Sequence, residues 1–197
     1  MSGIEQAKRE LARTLRGVRS AAHRAVGRGA ADALLGSMRR ARQLGLNIPA
    51  DATVAGYWPL RDEFDVRALL GDLHDKGLVC ALPVVRGPDR PLAFHRWRPG
   101  DRLTEGGFGI AEPASDRPEV QPLVLLVPLL GVDGAGRRLG YGKGYYDRTL
   151  AVLRAAGPVI AIGVCFEAQR VREVPAESHD QRLDWVLTET GAWRAAG

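Results

Sequence analysis

A chain of 197 residues with 45% hydrophobic content can bury one sizeable core, and its net charge of +5 favours anionic ligands such as nucleotides, polyglutamates or nucleic acid. No apolar run reaches membrane-spanning length or has the form of a signal-peptide core, so no membrane association is expected. Cys80 and Cys165 each sit inside an apolar run and read as buried thiols of a reducing cytoplasm, with a disulfide left open; Glu5, Glu10 and Asp32 speak against an organelle transit peptide in the arginine-rich start.

Ser2 to Glu5 has the form of a capping box, with serine as N-cap and glutamate three residues on. Ile4, Leu11, Leu15 and Val18 then recur at helical spacing, which predicts an amphipathic helix whose basic residues form a mostly solvated outer face. A second helix is expected from about Ala30 to Leu44, closed by Gly45. Ala52 to Trp58 reads as a strand stopped by Pro59. Glu63 and Asp65 follow in a loop, and Val66 to Lys76 reads as a helix with Leu69, Leu70 and Leu73 inward and Asp65 placed to cap it. Gly77 to Pro83 is a second strand, parallel to the first because a helix lies between them, and Pro91 to Trp97 alternates like another.

The apolar run Leu123 to Leu130 reads as a buried strand. After it comes a glycine-rich stretch from Asp133 to Asp147, and then a helical pattern from Arg148 to Ala156. Strand, glycine-rich turn and helix together can hold phosphate, because glycine backbones approach closely and a helix N-terminus favours negative charge. Arg137, Arg138 and Lys143 add positive charge, and Asp147 adds a carboxylate able to hold a divalent metal. The spacing is neither that of a Walker loop nor that of a dinucleotide fingerprint. Residue chemistry alone therefore leaves two readings, an anion site or a tight connection whose glycines serve backbone geometry. Val159 to Val164 is a further strand, with Phe166, Glu167 and Gln169 at its C-terminal end, where ligands collect in open α/β sheets. Leu183 to Leu187 is a last short strand. No repeat or linker divides the chain, and the alternation predicts one α/β domain over residues 1–197 with a mostly parallel sheet in three layers.

The stretch Arg138 to Asp147, Arg-Leu-Gly-Tyr-Gly-Lys-Gly-Tyr-Tyr-Asp, resembles the signature of the 5-formyltetrahydrofolate cyclo-ligases, also called 5,10-methenyltetrahydrofolate synthetases. Tyr57-Trp58-Pro59 with Glu63 and Asp65, Gly109 to Pro113, Pro128, Gly163 to Gln169, Pro175, His179-Asp180, Asp184 and Thr188-Glu189 fit the same family in the same order. The resemblance implies an α/β/α fold of the NagB/RpiA/CoA-transferase-like kind. It also implies ATP- and Mg2+-dependent conversion of 5-formyltetrahydrofolate to 5,10-methenyltetrahydrofolate. Carried over residue by residue, it places ATP on Lys8, Arg9, Arg138, Leu139, Gly140, Tyr141, Gly142, Lys143, Gly144, Tyr145 and Tyr146, with Arg138 and Lys143 as the catalytic cations. It places the folate on Trp58, Glu63, Tyr141, Gly142, Lys143, Gly144 and Tyr145, and magnesium on Asp147 and Asp180. Glu63 would accept hydrogen bonds from the pterin edge.

The family's first helix resembles Lys-x-x-Leu-Arg, whereas this chain has Lys8, Leu11 and then Ala12, so Arg13 or Arg16 is expected to replace the missing arginine. Trp97, like Trp58, is either a pterin wall or a core aromatic, and His179 is expected to be a structural hydrogen-bonder. A cytoplasmic monomer that binds no nucleic acid is expected. Two rivals remain: a relative that binds a nucleotide or pterin without this activity, and a basic nucleic-acid-binding module whose affinity would fall steeply with salt.

Overall fold

The computed structural model of the protein describes residues 3–196, apart from the side chains of Arg28 and Phe108. The capping role expected of Ser2 lies outside these residues. Helix α1 (Gly3–Val26) runs through a short turn at Gly27–Gly29 into α2 (Ala30–Gln43). Gly45 follows with φ of 105°, the left-handed backbone that commonly ends a helix.

The strands β1 (Thr53–Ala55) and β2 (Val79–Val84) flank α3 (Arg67–Asp75), and β3 (Ala93–Arg96) returns beside β2. The chain then forms a small hairpin, β4 (Leu103–Glu105) and β5 (Ala111–Pro113). Next come the central strand β6 (Val124–Pro128), a second small hairpin of β7 (Gly131–Val132) and β8 (Arg138–Leu139), and helix α4 (Tyr145–Ala156). Strands β9 (Ile160–Val164), β10 (Trp185–Thr188) and β11 (Gly191–Arg194) complete the chain.

Seven strands form the main sheet in the order β11-β10-β9-β6-β1-β2-β3; β2, β1, β6, β9 and β10 are mutually parallel, and β3 and β11 are antiparallel edges. Side chains along the central strands alternate between two buried layers. Val54, Cys80, Leu82, Val124, Leu126 and Ile162 pack with α2 and α3, whereas Ala55, Ala81, Leu125, Val127 and Ala161 pack with Leu150 and Leu153 of α4. A sheet buried on both faces explains the continuous apolar run of β6.

Topology fixes where a ligand can bind. The crossover from β1 to β2 moves toward one edge with α3 on one face, and that from β6 to β9 moves toward the other edge with α4 on the opposite face. Right-handed crossovers require this change of face when the direction reverses. The reversal lies between β1 and β6, and the diverging connections open a crevice at the carboxyl ends of those strands.

Three expectations need correction. β1 is shorter than expected, because Tyr57 leaves the sheet, buries its ring and donates its hydroxyl to Phe64 O at 2.8 Å. Helix α4 starts at Tyr145 rather than Arg148, with Gly144 before it at φ of 65°. Leu183–Leu187 is not the last strand, since the chain reverses at Thr190 to add β11. At Gly136, φ is 74°, and an added Cβ would stand 2.5 Å from Leu183 O and 2.7 Å from Ala195 Cβ. Gly136→Ala should therefore cost about 2 kcal/mol or more. Chemical denaturation reads this directly, and an unchanged midpoint would show that the turn can relax.

Candidate active site

The crevice holds a cavity of about 1180 Å³, above the ~300–1,000 Å³ usual for one small-molecule site and so roomy enough for two ligands. Tyr57, Trp58 and Glu63 line it beyond β1, Pro83 and Val85 at the end of β2, and Pro128 at the end of β6. The segment Arg138 to Asp147 forms another wall, and Glu177, His179 and Asp180 border it from the loop before β10.

Helix α1 covers the cavity with Glu5, Lys8, Arg9, Arg16 and Arg19. At 100° per residue these five positions fall within about 100° of one another, a single stripe. Arg13 lies off that stripe and is exposed, so of the two replacements weighed for the missing arginine, Arg16 lines the cavity and Arg13 does not. The apolar seam of α1, Leu11, Leu15 and Val18, packs on Leu130, Leu139 and Val174 and fixes this orientation.

Lys8 Nζ donates to Asp180 at 2.6 Å and to Glu177 at 2.8 Å. Burial opposes its charge, but these two carboxylates prevail and raise its pKa. Burial likewise pushes the Asp180 carboxyl up, and hydrogen bonds from Lys8 and the Glu177 N–H bring it below its ordinary value. Among the described residues, Glu177, His179 and Asp180 form one group whose ligand atoms lie within 4.8 Å of each other. Its carboxylate oxygens suit a hard cation such as Mg2+. Glu177 went unnoticed in the sequence because a lone loop glutamate carries no signal, whereas His179 is 70% exposed, with Asp180 Oδ1 3.7 Å away, and is not the structural hydrogen-bonder expected.

Asp147 stands on the same cavity but is engaged by Arg138, whose Nη2 donates to it at 2.8 Å, and by the Gln181 N–H at 2.9 Å. Arg138 also donates to Gln181 O. Burial lowers the Arg138 pKa, and Asp147 opposes that shift. The turn between β8 and α4 carries Gly142 and Gly144 at φ of 83° and 65°, so it presents a backbone that side chains other than glycine would strain. Lys143, Leu139, Gly140, Tyr145 and Tyr146 all line the cavity here; Tyr145 O–H reaches Gly87 O at 3.3 Å.

On the wall toward β1, Glu63 is buried and accepts the Leu60 N–H at 2.9 Å. Burial raises its pKa against the opposing hydrogen bond of Tyr141. Tyr141 in turn receives Arg19 Nη1 at 2.5 Å, and Arg19 is ion-paired with Asp62. Glu112, another buried carboxylate on the cavity, accepts the Val85 N–H at 3.0 Å.

Several candidates serve the scaffold. Trp97 is a core residue meeting Trp58 edge-on at 6.3 Å, and only Trp58 lines the cavity. Phe166 packs on Phe64 at 4.6 Å, Gln169 donates to Leu129 O and Leu130 O, and Glu167 accepts from Thr188 and Thr190, so the end of β9 is closed by its own side chains. Arg137 is turned to Asp133 and Glu173 and does not line the cavity. Asp184 holds the Ala161 N–H and Arg154. Asp65 accepts the Arg67 N–H at the start of α3.

The chain is 39% identical over 172 residues to the 5-formyltetrahydrofolate cyclo-ligase of Mycolicibacterium smegmatis, spanning 83% of this chain and 84% of that one. It is 33% identical over 146 residues to the enzyme of the same name from Escherichia coli, spanning 72% and 80%. Its fold superposes on the 5,10-methenyltetrahydrofolate synthetase of Aquifex aeolicus with a TM-score of 0.76 and 25% identity over 96% of this chain and 93% of the other. A synthetase structure from Mycoplasma pneumoniae shares the fold at a TM-score of 0.63 and 19% identity, over 95% and 99%. A profile of the 5-formyltetrahydrofolate cyclo-ligase family matches residues 4–189, the span that contains the sheet through β10 and every cavity-lining residue, and the chain belongs to that family.

Proposed function

We propose that this chain closes 5-formyltetrahydrofolate to 5,10-methenyltetrahydrofolate at the expense of ATP. The chemical obstacle is a formamide whose carbon is a poor electrophile and whose oxygen is a poor leaving group. Transfer of the γ-phosphoryl group to the formyl oxygen makes that oxygen a phosphate. The N10 amine then forms a bond to the iminium carbon, the C–O bond breaks, and inorganic phosphate leaves beside ADP, with one proton lost from N10. Little covalent work falls to the protein, so positioning and charge neutralisation dominate.

The observation that carries this reading is a two-ligand cavity with a glycine turn on one wall and a buried carboxylate, Glu63, on another. Lys8, Arg9, Arg138 and Lys143 supply positive charge for the phosphates, and the backbone from Gly140 to Gly144 supplies N–H donors. Glu63 takes the pterin edge, with Trp58 beside it. Asp180 and Asp147 would hold Mg2+, which when bound neutralises phosphate charge. Of the α1 cations that line the cavity, Lys8 and Arg19 are turned into it and ion-paired there, with Arg9 and Arg16 exposed at its rim, and such an arrangement favours a small anionic ligand over a nucleic-acid-binding surface. Among the described residues no helix is long and apolar enough to cross a membrane. We read the protein as a cytoplasmic monomer.

Incubating the purified protein with 5-formyltetrahydrofolate, ATP and Mg2+ should produce methenyl absorbance in the near ultraviolet, with one phosphate released per methenyl group. Well-folded protein that binds ATP yet yields no absorbance would identify it as a relative without the activity.

A further inference from the structure

We propose that Lys8 competes with the divalent cation for the carboxylates of Asp180 and Glu177, and that nucleotide phosphates, by taking up the ammonium, release those oxygens to the metal. The inference rests on the reading of Asp180 as a Mg2+ residue and of Lys8 as a phosphate contact. It goes beyond that reading by making metal and nucleotide promote each other's binding through one side chain.

Lys8 Nζ lies 2.6 Å from Asp180 Oδ2 and 2.8 Å from Glu177 Oε2, so a single ammonium is shared by two carboxylates. The loop that carries them is built without the lysine. Asp180 Oδ2 also accepts the Glu177 N–H at 2.8 Å, and the Asp180 N–H is donated to Glu177 O at 3.1 Å. The carboxylate pair is therefore set by its own turn, and Lys8 is a guest on it.

The lysine is also the part able to move. Leu11 and Leu15 fix the neighbouring turns of α1 against Leu130, Leu139 and Val174, but the ammonium ends a flexible four-carbon stem and has no plane to match. Its side chain keeps 20% of its exposure. The other cation–carboxylate pair on the cavity, Arg138 with Asp147, is different. The Arg138 side chain is 4% exposed and donates to Gln181 O as well. Arg138 Nη2 and the Gln181 N–H both meet Asp147 at Oδ1, so a metal can use Oδ2 without breaking either bond. Only at Asp180 does the protein's own cation stand in the way.

Charge then sets the coupling. A divalent cation that approaches Asp180 and Glu177 meets an ammonium already seated on their oxygens, and the two cations repel at short range. An ammonium displaced with no anion to receive it loses two charge-assisted hydrogen bonds. Phosphates in the same cavity supply that anion. Each ligand thereby improves the site of the other, and such coupling is reciprocal.

The test titrates Mn2+, a paramagnetic substitute for Mg2+, into the nucleotide-free protein and follows the free ion by electron paramagnetic resonance. Lys8→Met, which keeps the apolar stem and removes the ammonium, should bind Mn2+ about tenfold more tightly than wild type, while its KM for ATP rises. Loss of a phosphate contact alone would raise the KM and leave Mn2+ affinity where it was. Arg9→Met removes the same charge from the next position, where the side chain is exposed and has no ion pair among the described residues, and should change Mn2+ affinity by no more than about threefold. Adding Asp180→Asn to Lys8→Met should abolish the gain. Mn2+ affinity unchanged or weakened in Lys8→Met overturns the exchange, as does an equal gain in Arg9→Met or a gain that survives Asp180→Asn. The titration needs no turnover, so absence of methenyl formation would overturn the proposed activity alone.

Discussion

Asp147→Asn is expected to lower kcat by about 100-fold or more, with a loss of stability of no more than a few kcal/mol. Two consequences of the substitution act together. It removes the negative charge beside a buried guanidinium, since Arg138 Nη2 donates to this carboxylate at 2.8 Å. It also removes one of the two carboxylates proposed for Mg2+. An asparagine oxygen can still accept the Gln181 N–H, now 2.9 Å away, so the local backbone should hold. Circular dichroism and thermal unfolding check the fold, and turnover measured over a Mg2+ titration separates the two roles. If Asp147 carries the metal, half-saturating Mg2+ rises along with the loss of kcat. If it only orients Arg138, the Mg2+ dependence stays in place while kcat falls. Near-normal turnover at ordinary Mg2+ would remove Asp147 from the machinery altogether.

For Lys8→Ala the expected result is a KM for ATP raised about 10- to 100-fold, the worth of one charge-assisted hydrogen bond to phosphate, against only a few-fold for Arg16→Ala. Lys8 reaches into the cavity and holds Asp180 and Glu177, whereas Arg16 is exposed at its border. If the two effects are reversed, the phosphates lie two helical turns further along α1. The contact also has a pH signature. Lys8 has a raised pKa, so its contribution to stability is present below the ordinary lysine value of 10.5 and is lost as pH rises through the folded value. Asp180 has a lowered pKa, so its contribution is present above the ordinary aspartate value of 3.8 and is lost as pH falls through the folded value. The stability difference between wild type and Lys8→Ala should therefore be level from about pH 5 to pH 9 and shrink in stronger acid. A difference that persists unchanged at pH 2 would show that Lys8 acts through packing rather than charge.

Local patterns made much of the architecture legible. The period-3.6 apolar residues of α1, α2 and α3 and the apolar runs of β2, β6 and β9 were readable because each element buries a face that its own sequence encodes. What stayed hidden depends on partners far away in sequence. The two small hairpins and β11 are too short to carry a period. The site divides in the same way. Its glycine turn, Arg138 and Lys143 stood out because motif and spacing coincide. Arg19 and Glu177 did not, since an arginine on a basic helix and a single glutamate in a loop look alike whether buried or solvated. Glu167 and Gln169 misled for a related reason. The end of a parallel strand is a good place for a ligand, but the diverging crossovers put the opening between β1 and β6, one strand away from β9.

Helix α1 also acts as a gauge. Lys8 and Arg19 are separated by eleven residues of continuous helix, which fixes about 16 Å along the axis and nearly the same azimuth. The sequence between them can drift widely, but the residue count cannot. Inserting a single alanine between them would turn one cation about 100° away from the other, so one of the two ligand sites would lose its charge even though each retained its full set of side chains.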